Sequence, residues 1–497
     1  LWNASSKSIS TFFDMHLNVI LGVTGTLLML FSLTLLMPIL VAVVYAENTL
    51  DTFSIAFAIT LGVGFVLWRL KREGVELRSR EGFLVTMLFY LGLGLFGALP
   101  LSPLLGSGVT ENFTDAAFES FSGITTTGAT VLNGLDMLPR SILFYRAQLQ
   151  WLGGMGIIVL AVAILPMLGI GGMQLYRAEA PGPVKDAKLK PRITETAKSL
   201  WYIYLGITIA CALSYGIAGM GMFDAICHAF STVAIGGFST HDASLGFFDN
   251  PAIEAVAIVF MVLAGINFTL HFGVLQQRRL TPYIRDIEVR LFLAILVVLT
   301  LVAAWMLAAH PEASTRPMRD ALFQAVSIAT TTGFTTANFS TWPSAIPFLL
   351  LFAAFAGGCA GSTAGGIKIY RVLLIFRQGL REMRRLVHPN GIFHIKMGHQ
   401  LVPDRVVDAV WGFFAVYLLF FLGLLCALLA MSDLDFVSAF SAIAACLNNL
   451  GPGLGDVAFG YEALSTSSKW LLIIAMLLGR LEIFTLLVLL TPDYWRS

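Results

Sequence analysis

Four stretches of this chain follow one pattern, and that pattern restricts the fold more than any other feature. DAAFESFSGITTTG runs from Asp115 to Gly128, DAICHAFSTVAIGG from Asp224 to Gly237, DALFQAVSIATTTG from Asp320 to Gly333 and SAFSAIAACLNNLG from Ser438 to Gly451. Each begins with Asp or Ser, which can accept the free N–H groups of a first helical turn, and each reaches a glycine thirteen positions later. About eight residues of small and aromatic character follow the cap, a helix too short to cross a bilayer. Thr-Thr-Thr-Gly and its counterparts are poor helix formers, so the residues before each glycine are expected to leave the helix as a strand with free backbone groups.

The surroundings of these stretches are those of a membrane protein. Of 497 residues, 57% are hydrophobic and only 12% charged. Apolar runs of spanning length recur near 17–45, 51–70, 83–105, 141–170, 197–222, 251–275, 288–309, 344–378, 406–431 and 468–491, which predicts ten spans. The first run has no small-residue cleavage site after it and is expected to be retained rather than removed as a signal peptide. Each patterned stretch has one span before it and one after. The predicted fold is therefore an all-α polytopic membrane protein with two extra N-terminal helices and four pseudo-symmetric units of helix, pore helix, filter strand and helix around one central ion pore. The units are expected at 76–180, 181–277, 278–400 and 401–497, after a two-helix region at 1–75.

Most Lys and Arg residues fall in 68–82, 177–198, 278–290 and 368–405, which marks these segments as cytoplasmic. Both termini then lie in the cytoplasm and the patterned stretches open to the outside. Non-helical backbone at membrane depth is tolerated only where it packs in protein or lines an aqueous cavity. Four strands around one axis would present rings of carbonyl oxygens, and four short helices would aim their partially negative C-termini at the same place. The expected occupant is a cation. Four re-entrant loops used only for packing are the bland alternative, which the identical internal spacing disfavours.

Other features exclude more than they assign. The net charge of +1 gives no support for a nucleic-acid partner. Cys211, Cys227, Cys359, Cys426 and Cys446 are scattered, without metal-ligand spacing, and read as packing residues. GLGLFG at 92–97 fits a dinucleotide fingerprint but lies inside a span with no preceding strand. GLGD at 453–456 is shared with GxGD intramembrane proteases, whose chemistry needs two carboxylates at one site. No span supplies a partner for Asp456. His228 and His271 are expected to be hydrogen-bonded packing residues, and no nucleophile has a plausible base nearby, so the chain is not expected to be an enzyme.

FESFSGITTTGATVLNGLD, STVAIGGFSTHDAS, GGCAGSTAGGIK, LNNLGPGLG and GRLEIFTLL together resemble the superfamily of K⁺ transporters that includes the Trk, Ktr and HKT proteins. The resemblance covers essentially the whole chain. It implies K⁺ as the transported ion, no covalently bound cofactor, and a homodimer with one pore per subunit in the bacterial inner membrane. It also implies a TrkA-like cytosolic nucleotide-binding ring, so that ATP/ADP or NAD/NADH would bind the partner rather than this chain. Carried over position by position, the filter carbonyls belong to Thr125, Thr126 and Thr127 before Gly128, and to Ala234, Ile235 and Gly236 before Gly237. They continue with Thr330, Thr331 and Thr332 before Gly333, and Asn448, Asn449 and Leu450 before Gly451. The four strands differ from one another and lack the TVGYG loop of tetrameric K⁺ channels. K⁺ and Rb⁺ are expected to pass well and Na⁺ to be only partly excluded.

Two further anomalies concern gating. Five glycines interrupt the span containing FAGGCAGSTAGGIKIYR, from Phe355 to Arg371, so this helix should be broken by a loop. Close packing through small residues is the alternative on composition alone. The resemblance implies an intramembrane gate of Gly357, Gly358, Cys359, Ala360, Gly361, Ser362, Thr363 and Lys368. Arg480 lies well inside the last span, where a charge is costly unless it faces water or a partner, and is placed in the pore as a barrier below the filter. Transport driven by membrane potential gains roughly 2.3 kcal/mol per charge per 100 mV. A Na⁺-permeable pathway or an H⁺- or Na⁺-coupled symporter is the alternative, although no span carries an evident relay of Asp, Glu and His.

Overall fold

The computed structural model describes residues 16–70, 79–106, 109–163, 193–343, 345–398, 400–481 and 483–495. Apart from one short pairing of Lys396–Met397 with Gln400–Leu401, the described elements are helical, as expected of an all-α polytopic membrane protein. In chain order the main helices are α1 (Leu17–Thr34), α2 (Leu36–Val44), α3 (Leu50–Arg69), α4 (Ser79–Gly97), α5 (Phe113–Ile124) and α6 (Arg140–Ala163). There follow α7 (Ile193–Ile217), α8 (Met222–Ala234), α9 (Pro251–Ala264), α10 (Phe268–Gln277), α11 (Ile287–Ala308) and α12 (Pro317–Ala329). The chain continues through α13 (Ala345–Ala356), α14 (Ile369–Val387), α15 (Asp404–Met431), α16 (Phe436–Asn448), α17 (Thr466–Arg480) and α18 (Ile483–Leu490).

Among the described residues six helical stretches are long and apolar enough to cross a membrane, and the bent pair α9–α10 makes a seventh candidate. Several apolar runs do not stay straight: α9 and α10 meet at 96° across Gly265–Asn267, and the run at 344–378 splits into α13 and α14. The last run breaks after Arg480, and α6 carries a non-helical residue at Gly156. Hydropathy registers where a chain is apolar, but these breaks are set by glycines and by backbone partners elsewhere in the fold.

α1 and α3 pack closely enough that a Cβ on Gly25 would stand 2.6 Å from the Gly64 carbonyl oxygen, and one on Gly64 would stand 2.9 Å from that of Gly25. Paired small residues are what let membrane helices approach to backbone contact. Most of the described core is one large apolar cluster, with Phe118, Phe323 and Leu472 fully buried around the four short helices α5, α8, α12 and α16, and three smaller clusters lie apart from it.

Those four helices have 12 or 13 residues, longer than the roughly eight that capping at Asp115, Asp224, Asp320 and Ser438 would allow. The caps lie earlier. Asn112 accepts the Asp115 N–H, and Asp435 accepts those of Val437 and Ser438. Asp115, Asp224 and Asp320 instead occupy the first turn, where the helix dipole favours a negative charge.

Candidate functional site

Each short helix ends in the same hydrogen-bond signature. Thr127, Gly236, Thr332 and Leu450 donate their N–H groups to the carbonyls of Ser122, Ser231, Ser327 and Ala445, at 2.8–2.9 Å. The preceding residues donate to the carbonyl three positions back, as in Thr126 to Gly123 and Thr331 to Ile328. These paired bonds define a Schellman termination, which requires one residue in the left-handed region, ordinarily glycine or Asn. Here that residue is Thr126, Ile235, Thr331 or Asn449, at φ 54°, 55°, 66° and 52°. Three of the four are β-branched, the side chains for which positive φ is most unfavourable, about 1–2 kcal/mol each. Strain of this kind persists only where the surrounding structure over-determines it.

Two positions on, Gly128, Gly237, Gly333 and Gly451 return to positive φ at 80°, 80°, 86° and 95°. The sequence-predicted strands therefore begin later than expected, because Ala234 and Asn448 are the last residues of their helices and Thr125 and Thr330 are helix C-caps. The glycines also close a ring. A Cβ on Gly128 would strike the Gly236 carbonyl oxygen, one on Gly237 that of Thr332, one on Gly333 that of Leu450, and one on Gly451 would stand 2.7 Å from that of Thr127. The contacts run first to second, second to third, third to fourth and fourth back to first.

Side chains behind the ring hold it in place. Thr125 and Thr127 share a hydroxyl–hydroxyl hydrogen bond of 2.8 Å, and Thr330 and Thr332 one of 2.7 Å. The Asn449 amide donates to Thr127 Oγ1 and to the Met476 carbonyl, Tyr417 donates to Asn448 Oδ1, and Tyr461 donates to the Gly451 carbonyl. Sequence reading missed a fully buried ion pair: Arg146 Nε donates to Glu119 at 2.7 Å, and its guanidinium lies over the Phe238 ring at 4.2 Å. Glu119 also accepts from Thr130 Oγ1 and the Val131 N–H. Lys469 donates to Asp115 at 2.6 Å. The signal was present in the sequence, since both Arg146 and Lys469 fall inside predicted spans.

The glycine-rich segment lies against the ring. Gly365 N–H donates to Thr331 Oγ1 at 2.7 Å and Gly366 N–H to the Asn448 carbonyl at 3.2 Å. Thr363 Oγ1 donates to the Val233 carbonyl at 3.0 Å. Arg480 donates to the Thr363 carbonyl at 3.3 Å and to the carbonyls of Gly153 and Gly154. Gly153 in turn packs directly on the Ile124 carbonyl. The loop thereby touches the ends of the second, third and fourth short helices, and Arg480 connects to the first through Gly153. The loop is also seated in the α9–α10 bend: Cys359 N–H donates to the Gly265 carbonyl and Phe268 N–H to that of Gly361, while Gly361 lies against the Asn267 amide. Ala360 N–H is held by Glu288, and the Lys368 ammonium folds back on the Ala364 carbonyl. Gly358 and Ser362 lie within the same loop, Ser362 donating to the Cys359 carbonyl. The chain is thus broken where the glycines predict, and the helix-packing alternative has no continuous helix to act on.

On the loops that follow the first two strands, the His241 imidazole binds Asp136 and stacks on Phe247 with centroids 3.6 Å apart. That hydrogen bond holds the Asp136 carboxyl below its ordinary range. Arg316, donating to Asp249 at 2.7 Å, does the same there. His228 binds the Asp224 carbonyl and Ser239, and His271 binds Tyr283 and the Leu263 carbonyl, which accounts for both by packing. Asp456 is exposed, and among the described residues no group of His, Cys, Asp and Glu could hold a metal ion. Most of the basic segment 177–198 lies outside the described residues. In the basic segment 368–405, Arg381 is buried and donates to Asp404 at 2.5 Å, so it is committed within the chain, whereas Arg384 and Arg385 are exposed. Glu482, beside Arg480, also lies outside the described residues.

Residues 49–496 match the family model TrkH, described as a cation transport protein. The Trk system potassium uptake protein TrkH of Halomonas elongata is 54% identical over 487 residues, covering 97% of this chain and 100% of that protein. The protein of the same name from Escherichia coli K12 is 53% identical over 486 residues, with the same coverage. The crystal structure of the potassium transporter TrkH from Vibrio parahaemolyticus aligns with a TM-score of 0.87 at 52% identity, covering 97% of this chain and 100% of that one.

Proposed function

Because this chain belongs to the TrkH family of cation transport proteins, we propose that it carries K⁺, and Rb⁺ in its place, into the bacterial cell through the ring of four strand ends. The closed cycle of glycine-to-carbonyl contacts carries this reading. It brings four equivalent backbones to one place, with the C-terminal ends of four helices directed there, an environment suited to a dehydrated cation and to transport rather than catalysis. The filter comprises Thr125–Gly128, Ala234–Gly237, Thr330–Gly333 and Asn448–Gly451, one from each of the four units proposed above.

The loop 357–368 is the gate in this reading, and the Arg480 guanidinium, held by three carbonyls beneath the ring, is a positive barrier that K⁺ must pass. Both termini face the cytoplasm of an inner-membrane protein, and two copies form a dimer with one pore each. A cytosolic nucleotide-binding ring, the TrkA-like partner, docks on the inner segments and moves the gate through α14, which begins directly after the loop. Replacing Arg384 and Arg385 by Gln is expected to weaken co-purification with that ring while basal flux survives.

Gly128→Ser and Gly333→Ser test the filter. Each adds a side chain at positive φ where only a carbonyl of the next strand fits. Proteoliposome flux should show a higher Na⁺/K⁺ permeability ratio in both; a parent-like ratio in both removes the filter assignment.

A further inference from the structure

The four carbonyls approached by the ring glycines are not equivalent. Those of Thr127, Thr332 and Leu450 receive no protein donor among the described residues. That of Gly236 does. Gln150, fully buried on α6, donates its Nε2 hydrogen to the Gly236 carbonyl at 2.6 Å and accepts the Phe238 N–H at its Oε1 at 3.0 Å. One amide thus clasps three consecutive residues of the second strand. Gly236 accommodates it by having no side chain, since a Cβ there would fall on the Gln150 amide carbon.

This strand is also the one with least bracing of its own. AIGG has no hydroxyl to match the Thr125–Thr127 and Thr330–Thr332 pairs, and no side-chain amide such as Asn449 brings to the fourth strand. We infer that Gln150 is a specificity-determining positioning residue, fixing the Gly236 carbonyl at the spacing a K⁺-sized ion requires and preventing it from closing on a smaller one. A carbonyl oxygen has two lone pairs, so one can take the amide while the other remains for a cation. The hydrogen bond restricts the oxygen's swing and draws on its charge, and both effects weaken its hold on Na⁺, which demands a shorter contact and a stronger field. The inference rests on the filter reading and deepens it.

Three variants in proteoliposomes test it, with Gly333→Ser measured alongside. Gln150→Leu removes both hydrogen bonds and should raise the Na⁺/K⁺ permeability ratio about fivefold, the equilibrium equivalent of one neutral hydrogen bond, with Rb⁺ flux retained. Gln150→Met keeps length and volume and serves the same purpose if the Leu variant fails to fold. Gln150→Glu, assayed near pH 5, restores an acceptor and, when protonated, an O–H donor; its ratio should return toward the parent. A parent-like ratio in the Leu or Met variant overturns the inference, as does a Glu variant as altered as they are, which would reduce Gln150 to packing. If Gly333→Ser shifts the ratio and the Gln150 variants do not, only this inference falls; if none of them shifts it, the filter reading falls as well.

Discussion

The first and third strand ends differ from the second and fourth in where their support comes from. TTTG braces itself: the hydroxyls three and one positions before the glycine bond to each other, and Thr125 and Thr330 also return hydrogen bonds to the carbonyls of Phe121 and Val326. AIGG and NNLG borrow support. The second strand depends on Gln150 from α6, and the fourth on Tyr417 from α15, Tyr461 from the loop that follows it and the Asn449 amide reaching the Met476 carbonyl. One backbone shape is thus reached by two routes, so the four-fold pattern lies in the main chain while the side chains that sustain it are unequal. The glycine-rich loop follows the same division, bonding to a side chain of the third strand end and to backbone carbonyls at the second and fourth.

The largest expected effect comes from removing the element that ties these unlike strands together from below. Deleting Gly357 to Ala364 should raise basal Rb⁺ flux in liposomes without any partner, because the ring above it keeps its own bracing. Unchanged or abolished flux in a well-folded deletion would show that the loop supports the ring rather than closing it.

A smaller effect separates the two routes of support. Thr332→Val removes one internal hydroxyl bond from a strand that retains its Thr330 contacts and should lower thermal stability by about 1 kcal/mol or less, with little change in selectivity. Asn449→Ala removes two ties that join separate segments, and should lower the unfolding midpoint further and raise the Na⁺/K⁺ ratio. Equal effects of both substitutions would erase the distinction.

The smallest effect lies where His241 and Asp136 link the loops that follow the first two strands. Because the Asp136 carboxyl is held below its ordinary range, the stabilisation is present above that range and is lost as pH falls through the folded value. Asp136→Asn should therefore unfold at a lower temperature than the parent at pH 7, with the difference shrinking as the pH falls below the ordinary carboxylate value of 3.8. A difference that stays constant as the pH falls would assign it to another cause.

Much of this arrangement was legible because it is written in local chemistry. The glycines at positive φ, the broken third-unit helix and the charge at Arg480 are anomalies within their own segments, visible against an apolar background. The helix starts at Asn112 and Asp435 were missed because Asp115 and Ser438 are also good capping residues, and only backbone geometry separates a cap from a first-turn acid. The 96° bend at Gly265–Asn267 was hidden by an apolar run that continues through it. Gln150, Arg146 and Glu119 went unremarked because their partners are 86, 27 and 27 residues away, a pairing that no local window contains. Arg381 shows the reverse: it lies in the basic segment 368–405, yet burial and a bond to Asp404 commit it within the chain.

The central claim is that a cation rests within the ring of strand ends, and locating Rb⁺ by its anomalous scattering in crystals of the protein tests it most directly. The account predicts a peak enclosed by the backbones of Thr127, Gly236, Thr332 and Leu450, above the loop at Thr363 and Arg480. A fully occupied Rb⁺ site elsewhere, with no peak in the ring, would contradict it.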